Sequence, residues 1–436
     1  MGKSSLVVGT ITAGLLANVL AIAQRAPSDL PRVGLGATPE LIYSVNPNDP
    51  WNKIFYFLFS RKLTVRLSSD FAEGAPFIDR SGRKVSTRVF ERNETGDRAI
   101  DPMYPTFGVG FGGMLALSDS AYPAFTQALR DALAETTARS ASARALMQSD
   151  LWGAYDALFF PFLPDDERAL GERRKTASDL TGRLIRKIAL TPQEIKALPE
   201  NFPSAVRRHK FPDVFAKDSG WIEVAWFLPR NHDDQAGYRR VSRVFLKPAH
   251  PPQNVQRFLE AETTREPEDP SALEGVALIT QLLLIDSHGN LQPTKLTTEA
   301  QIRLFVPGGG SGTVTGTMRT CEISRKLFLR DPVSGGLAAE DDDTPAYLSN
   351  GGSYGFAEGL DVLNQAWGEP IQVKLRTRCA ACHGENLTQL MTFSVVRPPH
   401  PPQIRRLNPA ATEVADLDIH IKQRRKDFQT LFGYFK

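Results

Sequence analysis

The hydrophobic period changes once along this chain of 436 residues, near Pro203, and that change restricts the fold more than any other feature. Before it, Met147, Leu151, Ala154, Tyr155 and Leu158 recur at helical spacing within the alanine-rich stretch 141–160, and Ala177, Leu180, Leu184 and Ile188 mark a second stripe. Pro123 suits a first helical turn, and Pro161 and Pro164 end the long helix. Thr191-Pro192-Gln193-Glu194 combines an N-cap threonine, a first-turn proline and a glutamate three residues after the cap. After the change, residues 221–227, 239–245, 276–285 and 301–306 form β-prone runs bounded by Gly, Pro, Asn or Asp. Helices and strands segregated in this way predict an α+β fold with a mostly antiparallel sheet.

These patterns divide the chain into an irregular region at 24–119, a helical region at 120–200, a β-rich region at 201–335 and a small α-rich region at 336–436. Asp286-Ser287-His288-Gly289-Asn290 is turn chemistry, which puts His288 on an exposed hairpin tip. Gly308-Gly309-Gly310-Ser311-Gly312 lacks the Gly-Lys-Ser/Thr ending of a phosphate loop and reads as a strand connection. Glu340-Asp341-Asp342-Asp343 lacks the ligand spacing of a calcium loop and reads as a solvated acidic loop. A terminal amphipathic helix is predicted from Val414, Leu417, Ile421, Phe428 and Leu431, with His420 on its surface and Arg424, Arg425 and Lys426 alongside.

The first residues have the layout of a secretory signal: Lys3, an apolar stretch from Leu6 to Leu20, then Ala21-Ile22-Ala23. Cleavage after Ala23 leaves Gln24 as the mature N-terminus, and no cysteine stands there to carry a lipid. No later run is long and apolar enough to span a bilayer, so the mature form is expected to have no membrane span. It would carry 51 basic against 49 acidic side chains, a balance that argues against nucleic acid as a partner.

There are three cysteines, too few for a disulfide-built scaffold in an exported chain of this length. Cys321 stands alone, as a buried free thiol or a surface residue. Cys379 and Cys382 stand together in Cys379-Ala380-Ala381-Cys382-His383, the attachment pattern of a covalent haem. Two thiols at that spacing can add to the two vinyl groups, and the adjacent imidazole can take the proximal position on the iron. Composition alone would produce the pattern on the order of three times in ten thousand chains. A redox disulfide would need a thioredoxin-like strand before the pair, and zinc would need a distant fourth ligand.

The segment Cys-Ala-Ala-Cys-His-Gly at 379–384 resembles the haem-binding segment of the c-type cytochromes. The resemblance covers the last 60 to 100 residues and implies one covalent haem c, His383 as axial ligand and a redox role. It also implies maturation after export, which agrees with the N-terminal signal and a periplasmic or otherwise exported location. Small single-haem cytochromes carry the motif near the start of their domain, whereas here it lies near the end. The haem pocket is therefore expected to borrow walls from residues 351–375.

For the opposite face of the iron the tail after His383 offers Met391, a thioether that would raise the potential, and His400, held between prolines in Pro398-Pro399-His400-Pro401-Pro402. His420 is a third possibility. Arg376, Arg378 or the basic residues of the terminal helix could meet the propionates. Electron transfer to an unidentified redox partner protein is the leading reading. A haem oxidoreductase or peroxidase-like enzyme, with substrate held by the large N-terminal region, is the rival, and a scaffold with a regulatory haem is the third. The absence of a second CxxCH argues against a two-haem peroxidase plan, and no Gly fingerprint for flavin or NAD follows a strand.

Overall fold

The computed structural model describes residues 41–59, 62–64, 66–67, 77–78, 84–85, 89–91, 116–117, 121–159, 168–224, 240–250, 273–307, 314–332, 335–340, 345–348, 371–374, 376, 419 and 422–436. The N-terminal part holds helix α1 (Pro50–Phe59) and five short strands, β1 (Lys62–Thr64), β2 (Arg66–Leu67), β3 (Phe77–Ile78), β4 (Lys84–Val85) and β5 (Val89–Glu91). The helical region follows as α2 (Tyr122–Ala134), α3 (Ala141–Phe159), α4 (Arg168–Ile188), α5 (Pro192–Lys196) and α6 (Phe202–His209). Both predicted apolar stripes, on α3 and α4, are buried. The start of α5 is the predicted capping box: Thr191 Oγ1 accepts from the Glu194 N–H at 3.2 Å, and Glu194 Oε2 accepts from the Thr191 N–H at 2.8 Å. Helical structure outlasts Pro203, which sits in the first turn of α6 and so starts a helix there instead of ending one.

The main sheet consists of β6 (Ile222–Val224), β7 (Arg240–Pro248), β8 (Leu273–Ile285), β9 (Leu291–Pro307), β10 (Val314–Ile323) and β11 (Leu337–Glu340). Its six strands run in the order β11-β10-β9-β8-β7-β6, every pairing antiparallel. The fold is α+β. A short helix α7 (Arg325–Arg330) separates β10 from β11. Strands β12 (Pro345–Leu348) and β13 (Ile371–Lys374) join β2 in a separate small sheet. The chain ends in α8 (Lys426–Phe432). Arg425 is extended just before α8, so the described end of the chain begins a new helix there.

Two apolar clusters make the core. The first joins α1 to α4 with α8, through residues such as Phe55, Phe125, Leu151, Leu184 and Phe428. The second packs α5 and α6 on one face of the sheet. Helix α3 serves both, sending Met147 and Leu151 into the first and Ala145 and Leu146 into the second.

Two side-chain amides complete the long β8–β9 hairpin where its neighbouring strands have run out. Gln148 exchanges two hydrogen bonds with the backbone of Ile285, both at 2.8 Å. Asn201 does the same with Thr297, at 2.7 and 2.8 Å, and also donates to the Gly335 carbonyl at 2.9 Å. Each amide stands in for a backbone pair at a buried strand edge. At the hairpin tip Asp286 Oδ1 accepts from the N–H groups of His288 and Asn290, each at 2.9 Å, and His288 is exposed as the turn chemistry predicts. Gly289 has φ +84° there, and an added Cβ would lie 2.5 Å from the Phe432 ring of α8. None of the described helices is long and apolar enough to cross a membrane.

Candidate functional site

The residues of the haem motif, Cys379, Cys382 and His383, lie outside the described residues, as do Met391, His400, His420, Arg378 and the predicted wall at 351–370. The described residues on either side of the motif are both attached to the main sheet. Before it, the half-buried Arg376 donates from Nη1 to the Gly316 carbonyl on β10 at 2.9 Å, beyond the part of β10 that pairs with β11. After it, Lys422, only 3% exposed, donates to the Arg240 carbonyl at the start of β7. One side chain on each side of the motif is thus bonded to the main sheet, at different strands.

That sheet has two unlike faces at its centre. Side chains alternate along a strand, so Ala277, Ile279, Ala300, Ile302 and Cys321, all in the second apolar cluster, define one face. Glu299, Gln301, Arg303, Met318, Thr320, Glu322 and Glu340 belong to the other. Arg303, Thr320 and Glu340 are nevertheless buried, and Thr320 Oγ1 donates to Glu340 Oε2 at 3.2 Å. Glu340 therefore lies on a strand against the sheet and is not part of a solvated acidic loop; Asp341 to Asp343 are outside the described residues. Buried charge of this kind is the informative departure from ordinary packing.

Arg240 shows the electrostatic cost. Burial lowers its pKa to about 10, against the pull of Glu299 at 3.8 Å and of Glu322, while Arg325 nearby lowers it further. A guanidinium stays charged at neutral pH even so, and the shift reads as desolvation borne by the fold. Arg325 is itself buried in α7 and bridges to α3, donating to Asp150 Oδ1 at 2.6 Å and Oδ2 at 3.2 Å. Tyr43 Oη donates to the same carboxylate at 2.5 Å. Burial, then Asp150, holds the Tyr43 phenol well above its usual pKa. This triad ties the helical layer to the end of β10.

One corner of the polar face differs from the rest. Leu246, Val276, Arg303 and Met318 stand in a single row across β7, β8, β9 and β10, and Phe305 follows Arg303 on the same face of β9. Leu246, Phe305 and Met318 are buried, yet they belong to neither apolar cluster. Gly316, whose carbonyl accepts from Arg376, precedes Met318 by two residues on β10.

Sequence reasoning missed this corner. The alternation of Glu299, Gln301 and Arg303 with Ala300, Ile302 and Leu304 signals a strand with one wet face, and nothing local says that the polar face is buried. Cys321 is a fully buried thiol in the second cluster. Among the described residues no group of three or more His, Cys, Asp or Glu is placed to hold a metal ion. Comparison of the chain with family models finds no match, and comparison with curated proteins and with solved structures finds none.

Proposed function

We propose that this chain is an exported mono-haem protein similar to the c-type cytochromes, which transfers electrons through a haem c bound covalently to Cys379 and Cys382. The observation that carries the reading is the sequence Cys379-x-x-Cys382-His383, in which spacing and residue types match what two thioether bonds and one axial imidazole require. When bound, the haem supplies a one-electron couple. The chain's share is to fix the porphyrin by two sulfurs, to hold the iron by His383 and to keep the ring against protein. The signal-like N-terminus supports the same reading, because covalent attachment of this type follows export. The electron donor or acceptor is an unidentified redox partner protein.

Expression with an export signal and haem-maturation machinery tests the proposal. The protein is expected to be red, to begin at Gln24 by mass spectrometry, and to keep its haem stain after denaturing electrophoresis, since thioether bonds survive unfolding. The Cys379→Ser, Cys382→Ser double variant should lose that stain. Equal staining of parent and variant would remove the attachment reading.

A further inference from the structure

The end of the chain packs across two elements that the haem reading does not use. We infer that residues 426–436 form a strap that opens from the rest of the fold as a unit, with Gly182 of α4 as its seat. The inference is independent of the haem.

Three observations carry it. First, glycine is a poor helix former, yet Gly182 lies within α4, where its φ is one that any residue adopts. A Cβ there would lie 2.5, 2.7 and 2.8 Å from three ring atoms of Tyr434, so the strap and not the helix requires the glycine. Gly289, at the tip of the β8–β9 hairpin, receives Phe432 and Phe435 in the same way, at 2.5 and 3.0 Å. The strap thus rests on bare backbone of two elements far apart in sequence. Second, the seven residues of α8 and the 3-10 turn that follows it (Gly433–Phe435) are too short to be helical alone. Docking supplies their order: Phe428 and Leu431 enter the first cluster, Phe428 meets Trp152 at 6.0 Å between ring centroids, and Tyr434 meets Tyr155 edge-on at 6.4 Å. Third, Lys426, Gln429, Thr430, Gly433 and Lys436 are exposed, and Phe432, Tyr434 and Phe435 are only partly buried. A terminal element held by a few rings opens at lower free energy than the cluster beneath it. Opening uncovers Trp152, Tyr155 and the backbone of Gly182, an aromatic surface on α3 and α4.

Hydrogen exchange of the full-length protein, read by mass spectrometry, tests the strap. Amides of residues 427–436 should exchange together and faster than those of α3. Gly182→Ala should speed their exchange on the order of tenfold, because the new methyl group displaces Tyr434, while β7 to β10 keep the parent's rates. Tyr434→Ala should do the same, and adding Gly182→Ala to it should cause no further increase. The thermal midpoint supplies a second readout: Gly182→Ala should lower it in the parent and leave it unchanged or raised in the Tyr434→Ala background, since alanine is the better helix former. Should Gly182→Ala not fold, Tyr434→Ala, at a half-buried position, carries the test alone. Exchange of 427–436 at the rate of α3 in the parent, or no acceleration in Tyr434→Ala, overturns the strap. Additive effects of the two substitutions overturn Gly182 as its seat.

Discussion

On one face of the central sheet Ala277, Ile279, Ala300 and Ile302 are fully buried beneath α5 and α6; on the other, Arg303, Thr320 and Glu340 are buried almost as deeply. The first arrangement accounts for itself, since each large apolar side chain removed from water contributes about 1.5–3 kcal/mol. The second does not. Burying a guanidinium or a carboxylate costs free energy that its partners at best offset, and the lowered pKa of Arg240 records that cost. Burial alone therefore accounts for the apolar face, whereas the polar face depends on how well its charges are paired.

The largest effect should appear at the polar joint between the helices and the end of β10. Asp150→Ala leaves the buried Arg325 without its carboxylate and should cost about 3–5 kcal/mol in denaturant unfolding. Adding Arg325→Met should restore much of the loss, because the pair removed together leaves no uncompensated charge. A single variant that unfolds at the parent's midpoint would show that this joint does not depend on its charges.

A smaller loss, with a different signature, belongs to the apolar face. Ile302→Ala, at a fully buried position, should cost about 2–5 kcal/mol, yet the folded protein should keep the parent's haem spectrum. Met318→Leu, across the sheet, should cost under about 1.5 kcal/mol because it nearly conserves volume. If Ile302→Ala costs no more than Met318→Leu does, the two faces contribute alike to stability.

What could be read in advance follows the range of the interactions. The stripe from Met147 to Leu158, the box at Thr191 and Glu194 and the turn at Asp286 to Asn290 are fixed within a few residues, and each stands as its pattern predicts. The haem pattern was legible for the same reason, as its chemistry needs only five consecutive residues. Helix α6 was hidden because Pro203 reads as a break unless its place in a first turn is known. Strand β10 was hidden because Thr, Gly and Arg fill half of its positions, and only its partners make it a strand. The pairing of Met318 with Arg303, and the hold of Arg376 on Gly316, join residues 15 and 60 apart in sequence, and no local pattern announces them.

The smallest effect concerns the helix that covers the apolar face. Helix α5 seats Ile195 in the second cluster, and its start depends on the Glu194 carboxylate. The Thr191 N–H, bonded to Glu194 Oε2, holds that carboxyl below its ordinary value of 4.5; Arg144 at 2.8 Å lowers it further, and slight burial opposes both. A carboxyl whose folded pKa is depressed contributes stability that is present above 4.5 and lost as pH falls through the folded value. Glu194→Gln can keep the box's hydrogen-bond pattern but carries no charge. It should therefore cost less than about 1 kcal/mol at neutral pH, and the difference from the parent should vanish in acid. Unfolding midpoints of both proteins, measured from pH 7 down to 3, test this. A difference that stays constant across that range would show that the charge of Glu194 contributes nothing, leaving the hold of α5 on the apolar face to burial alone.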